Sequence, residues 1–218
     1  MRHALTIAVI AAAMLSGGVA QAYDAGDWIV RVGASNVDPD DPNGEINVPD
    51  AGKLDVNIDD DTSVTFNGTY MWTKNIGIEL LAALPFEHDI KVDGLGKVGS
   101  TKHLPPTLSV QWHFLPDSRF QPYVGAGINW TIFFDDGEDG VLEELGGQLE
   151  LDDQSSFGLA GQIGADIMLN DHWFINADLR YIKIDNKAEV TLGEDKLNVS
   201  VDIDPYVYGL HIGYRFGK

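Results

Sequence analysis

The stretch Tyr206-Val207-Tyr208-Gly209-Leu210-His211-Ile212-Gly213-Tyr214-Arg215-Phe216 decides the fold. Successive side chains of an extended strand point to opposite faces. Tyr206, Tyr208, Leu210, Ile212, Tyr214 and Phe216 therefore share one face, and Gly209, His211, Gly213 and Arg215 the other. The first face is wholly apolar and aromatic; the second mixes glycine with charge. The same alternation runs through 28–35, 64–72, 76–86, 104–114, 124–132, 156–167 and 173–181, which gives eight strands. A small soluble barrel also alternates, but it fills its interior with the large apolar side chains and turns polar ones to water. The alternation alone leaves both arrangements open, so the tryptophans and the connections have to separate them.

The connections alternate in length. Residues 73–75, 115–121 and 170–172 are short; 38–61, 87–101, 135–154 and 185–204 are long. Short turns on one side and long loops on the other are the mark of an outer-membrane barrel, with the short turns in the periplasm. Trp28, Trp72, Trp112 and Trp173 lie beside the short turns, joined by Tyr214 and Phe216. Trp130 lies about nine residues up its strand, and a strand crosses a bilayer in about 9–11 residues. Two rings of outward aromatics one bilayer apart read as interfacial belts. The expected fold is all-β: an eight-stranded antiparallel transmembrane barrel with short periplasmic turns and long extracellular loops.

Ahead of the barrel, Arg2, the apolar run from Ala4 to Leu15 and Ala20-Gln21-Ala22 have the order of a secretory signal. Residues 1–22 are therefore expected to be removed, leaving 23–218 as one barrel domain in the outer membrane of a Gram-negative cell. The chain holds 34 acidic and 14 basic residues and no cysteine, for a net charge of −20. That balance excludes phosphate-driven nucleic-acid binding, and the missing cysteines exclude disulfides, zinc–cysteine sites and thiol nucleophiles. The charge lies in the long connections. Three of them, 38–61, 135–154 and 185–204, carry −8, −9 and −4, whereas Glu87, Asp89 and Asp93 are balanced by Lys91, Lys97 and Lys102. The wall itself is close to neutral. Acidic loops can bind divalent cations among lipopolysaccharide head groups, or can simply be solvated by their charge. The run Asp135-Asp136-Gly137-Glu138-Asp139-Gly140 lacks an EF-hand register, so no metal site or cofactor is expected.

Two groups of residues break the pattern. Met71, Leu81, Phe133, Ala160 and Phe174 are apolar members of the inward set. They can form a pocket for an apolar ligand toward the outer half, or plug the lumen. An eight-stranded barrel leaves space only for side chains or one small ligand, so an open aqueous pore is not expected. The second group is Pro85 on the third strand with Pro105 and Pro106 on the fourth. Proline lacks the backbone N–H and deletes ladder bonds. Both sites lie about nine residues up from the short turns, near the outer edge of the membrane band. They can open a lateral port, or merely bend the strands so that the rim flares.

The strand segments resemble a known family. Asn75-Ile76-Gly77-Ile78-Glu79-Leu80-Leu81-Ala82-Ala83, His103-Leu104-Pro105-Pro106-Thr107-Leu108, Pro122-Tyr123-Val124-Gly125-Ala126-Gly127-Ile128-Asn129 and Phe133-Phe134-Asp135 are similar to those of the OmpW family of small outer-membrane proteins. Asp204-Pro205 and the closing Gly213-Tyr214-Arg215-Phe216 fit as well. The resemblance implies a monomeric eight-stranded barrel that passes small hydrophobic molecules, the role of the family's alkane-uptake members. It also implies contact with outer-membrane lipid, lipopolysaccharide and the barrel-assembly machinery. Two rivals stand beside it. One is a structural or receptor barrel without transport. The other is an outer-membrane enzyme, for which His88, His103, His113 and His211 show no Ser–His–acid spacing, so no catalytic residue is expected.

Overall fold

The computed structural model describes residues 23–40, 44–48, 52–137, 148–151, 155–192 and 195–217. The expected signal segment, 1–22, lies outside them. Eight strands close into an antiparallel ring: β1 (Trp28–Asp38), β4 (Asp61–Met71), β5 (Ile76–Ala83), β8 (Thr107–His113), β9 (Phe120–Gly137), β11 (Ser155–Met168), β12 (Trp173–Ile182) and β15 (Tyr206–Phe216). Each pairs with the next in that order, and β1 pairs with β15, opposing Trp28 to Phe216 beside the short turns. The β9–β11 pairing, from Ser155–Ile132 to Ile167–Phe120, completes the circle. Closure leaves the ring without a free edge. Among the described residues no helix is long and apolar enough to cross a membrane; the strands do the crossing.

The wall is polar within and apolar without. Arg31, Asn67, Glu79, Gln111, Asp166 and Asn176 are buried, whereas Trp28, Leu80, Val110, Ile128, Leu159 and Leu210 are exposed. A water-soluble core has the opposite arrangement, and an apolar outer face of this extent is stable only in hydrocarbon.

The long connections differ from the expectation of loops. They hold β2 (Gly44–Val48), β3 (Gly52–Ile58), β6 (Phe86–Val92), β7 (Gly96–Leu104), β10 (Gln148–Leu151), β13 (Asp185–Leu192) and β14 (Asp195–Asp202). β7 pairs with the outer half of β9, β6 with β7, β3 with β6 and β2 with β3, so the sheet runs on beyond the ring. The reason is an alternation hidden under the acids. In β6, Phe86, His88, Ile90 and Val92 are buried, while Glu87 is exposed and Asp89 and Lys91 are half-buried. Val56 and Ile58 of β3 point inward in the same way. Apolar residues on the inner face convert an acid-rich connection into wall.

Candidate functional site: a capped lumen with a gap in its wall

The lumen is filled in three layers. At the short-turn end Tyr23, Ile29, Met71, Met168 and Phe174 pack together, all wholly buried. Tyr23 Oη donates to Asp166 Oδ2 at 2.7 Å, and its ring meets those of His113 and Phe174 edge-on. Tyr23 thus stoppers the lumen at the short-turn end.

Above this lies a charged layer. Arg31 grips Asp166 with Nε–Oδ1 at 3.1 Å and Nη2–Oδ2 at 2.6 Å, and its Nη1 donates to Thr69 at 2.9 Å. The guanidinium also sits 5.5 Å from the centres of the Tyr123 and Phe174 rings, within cation–π range. Glu79 accepts from Arg180 Nη1 at 2.7 Å, Gln111 Nε2 at 2.8 Å and Gln162 Nε2 at 3.1 Å. Asp178 accepts from Arg180 Nε at 2.9 Å. These side chains come from β1, β4, β5, β8, β9, β11 and β12, so they tie the wall together across the lumen. Two arginines are paired with three carboxylates out of water here, so an apolar solute crossing this layer would have to part buried ion pairs.

Outside the charged layer is an apolar cluster that includes Val37, Ile58, Phe86, Phe133, Ile182 and Val207, with Ala83 and Ala160 packed against it. Against it lies a narrow cavity of about 10 Å³, the room of about one water, lined by Leu81, Phe86, His103, Pro105, Ile182 and Val207 among others. Of the five inward apolar residues singled out in the sequence, the fold gathers Leu81, Phe133 and Ala160 at this level. Met71 and Phe174 lie in the other cluster, with the charged layer between.

The ring has a break beside this cavity. β5 and β8 are paired from Ile76–Trp112 to Leu81–Thr107, and the seam is paired again above, between β6 and β7, from Phe86–His103, which leaves a short window between. In that ladder His113 N bonds to Asn75 O, so odd-numbered residues of both strands direct their N–H groups at each other. Pro85 and Pro105 stand in the interval between that ladder and the β6–β7 pairing that resumes at Phe86–His103, and neither has an N–H to give to it. The carbonyls of the three prolines are nonetheless bonded. Pro106 O accepts from Trp130 N at 2.9 Å and Asn129 Nδ2 at 3.3 Å, Pro105 O from Thr107 Oγ1 at 3.1 Å, and Pro85 O from Ser63 Oγ at 3.2 Å. Outside the wall, Leu80, Pro106, Leu108, Ile128, Trp130 and Phe157 line a second cavity of about 220 Å³. The inner cavity touches Pro105 and the outer one Pro106, so two adjacent residues divide them.

The aromatics singled out for the belts lie on the outer face. Trp28, Trp72, Trp112, Trp173 and Phe216 are exposed at the short-turn end, with Tyr214 half-buried between Trp173 at 4.9 Å and Phe216 at 4.6 Å. Trp130 is exposed toward the other rim, stacked on Phe157 at 5.5 Å.

One arrangement is not visible as a spacing in the sequence. Thr65 Oγ1 lies 2.8 Å from His211 Nε2, and His211 Nδ1 lies 3.4 Å from Asp178 Oδ2. This is the order of a nucleophile, base and acid, but His211 Nδ1 is hydrogen-bonded to Asn176 Oδ1 at 3.1 Å, and Thr65 Oγ1 is also bonded to Ser35 Oγ at 2.8 Å. β4, which carries Thr65, is paired on both sides, to β1 and to β5, so its backbone N–H groups are committed to the ladders rather than aimed at a developing oxyanion. The set fastens the upper edge of the charged layer.

A closed strand ring, an apolar girdle and a polar lumen define an outer-membrane β-barrel. The OmpW family model matches residues 24–216, and the chain belongs to that family. It is 42% identical to outer membrane protein W of Escherichia coli K12 over 214 residues, covering 97% of this chain and 99% of the relative. Outer membrane protein AlkL of Ectopseudomonas oleovorans is 30% identical over 200 residues, 89% of this chain and 84% of that one. Among solved structures, the crystal structure of OprG from Pseudomonas aeruginosa matches with a TM-score of 0.83 and 41% identity, covering 91% of this chain and 99% of that one.

Proposed function

We propose that the barrel carries small hydrophobic molecules through the outer leaflet region and releases them sideways into the bilayer through the gap between β5 and β8. The observation that carries this reading is the pairing of a blocked axis with an interrupted wall. Below the inner cavity stand the charged layer and the Tyr23 stopper; beside it the ladder stops at Leu81–Thr107. An apolar solute avoids parting these buried ion pairs by leaving through the side. Leu81 at the inner cavity, with Phe133 and Ala160 in the apolar cluster around it, forms the entry surface, Pro85, Pro105 and Pro106 the port, and the outer groove under Trp130 the exit. Trp28, Trp72, Trp112, Trp130, Trp173, Tyr214 and Phe216 act as the belts that hold this exit at hydrocarbon depth. The partners under this reading are lipid, lipopolysaccharide, the apolar solute and the assembly machinery, and the closed ring works as a monomer.

The test is Pro105→Ala with Pro106→Ala in intact cells that lack other routes for the solute. Restored donors should complete the ladder, raise the temperature at which the folded gel band disappears, and slow uptake of a radiolabelled alkane. Variants that fold and take up alkane at the unmutated rate would sink the lateral route. The rival reading, a structural or receptor barrel, draws on the narrowness of the inner cavity. Cells whose alkane uptake is the same with and without the unmutated barrel would favour it.

A further inference from the structure

The apolar cluster contains two polar atoms that nothing in it satisfies. Phe86, His88, His103 and Phe133 form a run of neighbouring rings. His103 lies 5.5 Å from Phe86, 4.9 Å from His88 with the planes 18° apart, and 5.9 Å from Phe133. Both imidazoles are 2% exposed. His88 Nδ1 lies 2.6 Å from the carbonyl oxygen of Asp59, so this nitrogen carries the proton and Nε2 carries the lone pair. Neither His88 Nε2 nor His103 Nε2 has a hydrogen-bond partner. Buried polar atoms are normally paired, and each exception calls for an explanation.

His103 lines the inner cavity, so its side chain belongs to the surface that a solute would touch. Three kinds of solute can be weighed against it. A bare alkane buries Nε2 and leaves it unpaired. A carboxylate meets no lysine or arginine among the cavity-lining residues, and Asp59, Asp60 and Asp61 act electrostatically on the neighbouring His88. Burying an unpaired anion there is costly. A hydroxyl both donates and accepts, so it suits His103 Nε2 in either tautomer and adds no charge. The rest of the cavity, from Leu81 to Val207, then takes the hydrocarbon.

We infer that His103, backed by His88, is a specificity residue of the inner cavity that selects an apolar molecule bearing one neutral hydroxyl, an alkanol or a phenol, over an unsubstituted alkane and over a fatty carboxylate. The inference deepens the proposed function and rests on the inner cavity being the solute's seat. It does not depend on the lateral exit. The cavity is narrow at rest, so the chain enters by turning the Phe86 ring aside, and an unbranched alkanol demands the least such movement.

The experiment uses the full mature chain, labelled with ¹⁵N-histidine in lipid nanodiscs and titrated separately with octan-1-ol, octane and octanoate. The resonance lost in His103→Phe identifies the His103 nitrogens. Octan-1-ol should shift the Nε2 signal, and octane and octanoate should not. In His103→Phe, affinity for octan-1-ol should fall about tenfold, to the level of octane, with octane binding unchanged; tenfold corresponds to about 1.4 kcal/mol. His103→Met, of similar volume, is the second variant and should behave alike if the phenylalanine replacement loses the folded gel band. A signal unmoved by octan-1-ol, one moved equally by octane, or tighter binding of octanoate would each overturn the inference. Selective binding without any uptake by cells would instead defeat the transport reading and leave the inference standing, because the titration involves no membrane crossing.

Discussion

Arg31 and Asp166 meet as a bidentate pair in the middle of the lumen, with contacts of 2.6 and 3.1 Å and both side chains wholly buried. A pair desolvated this far adds little net stability over apolar packing, but removing one partner strands the other. Asp166→Ala also removes the acceptor of the Tyr23 hydroxyl. We expect it to destabilise the barrel by about 3–5 kcal/mol, read as a lower urea midpoint of the folded gel band. Arg31→Met combined with Asp166→Leu should recover much of that loss. An Asp166→Ala midpoint equal to the unmutated one would mean that the layer does not hold the wall.

Gly213 has a packing reason to be glycine. A Cβ built there would stand 2.0 Å from Cζ of Phe174, the side chain opposite it in the β12–β15 register. Gly213→Ala should cost about 1–3 kcal/mol by overpacking the short-turn cluster. Phe174→Leu in the same chain should return part of it, so the two changes are non-additive in a double-mutant cycle. Additive losses would place the strain elsewhere.

The acidic rim is expected to be dispensable for uptake. Asp59 pairs with Lys91 on the outer side, Asp60 accepts from Asn36 at 2.8 Å, and Asp61 accepts from the Glu87 backbone N–H at 2.9 Å. These are exposed or half-exposed contacts, worth less than about 1 kcal/mol each. His88 is held by the Asp59 backbone carbonyl, which a side-chain change leaves in place. Replacing Asp59, Asp60 and Asp61 with asparagine should therefore leave alkane uptake within about twofold of the unmutated rate; a larger loss would relocate the entry path to the rim.

What the sequence discloses and what it conceals follow from the geometry of strands. Alternation names the face of every residue, so the polar lumen, the apolar girdle and the eight-strand ring are legible from residues such as Trp28, Val30 and Val32 against Arg31. Alternation does not say which side chains meet across the lumen. Arg31 and Asp166 are 135 positions apart, and only the register of a closed ring brings them together. The outer strands were obscured for another reason: acids on the exposed face of 52–58 and 86–92 hide the buried Val56, Ile58, Ile90 and Val92. The split of the five inward apolar residues was within reach. Met71 immediately precedes a short turn and Phe174 closely follows another, so counting from the turns puts both at the periplasmic end.

That split separates two phenylalanines that look alike in the sequence. Phe133 lies in the apolar cluster around the inner cavity and touches the His103 ring at 5.9 Å. Phe174 lies below the charged layer, against Tyr23 and under the Arg31 guanidinium. If solutes enter above the layer and leave through the wall, they meet Phe133 and never reach Phe174. Phe133→Ser should then cut alkane uptake several-fold at normal folded yield, because it places a hydroxyl where hydrocarbon has to slide. Phe174→Ser opens a hole in the short-turn cluster, and truncating a buried aromatic costs about 3–5 kcal/mol. It should lower the urea midpoint while the fraction that folds takes up alkane normally. Uptake per folded barrel, measured from the folded gel band, separates the two effects. Equal loss of uptake in both variants would mean that the solute passes the charged layer, and the axis rather than the wall would be its route.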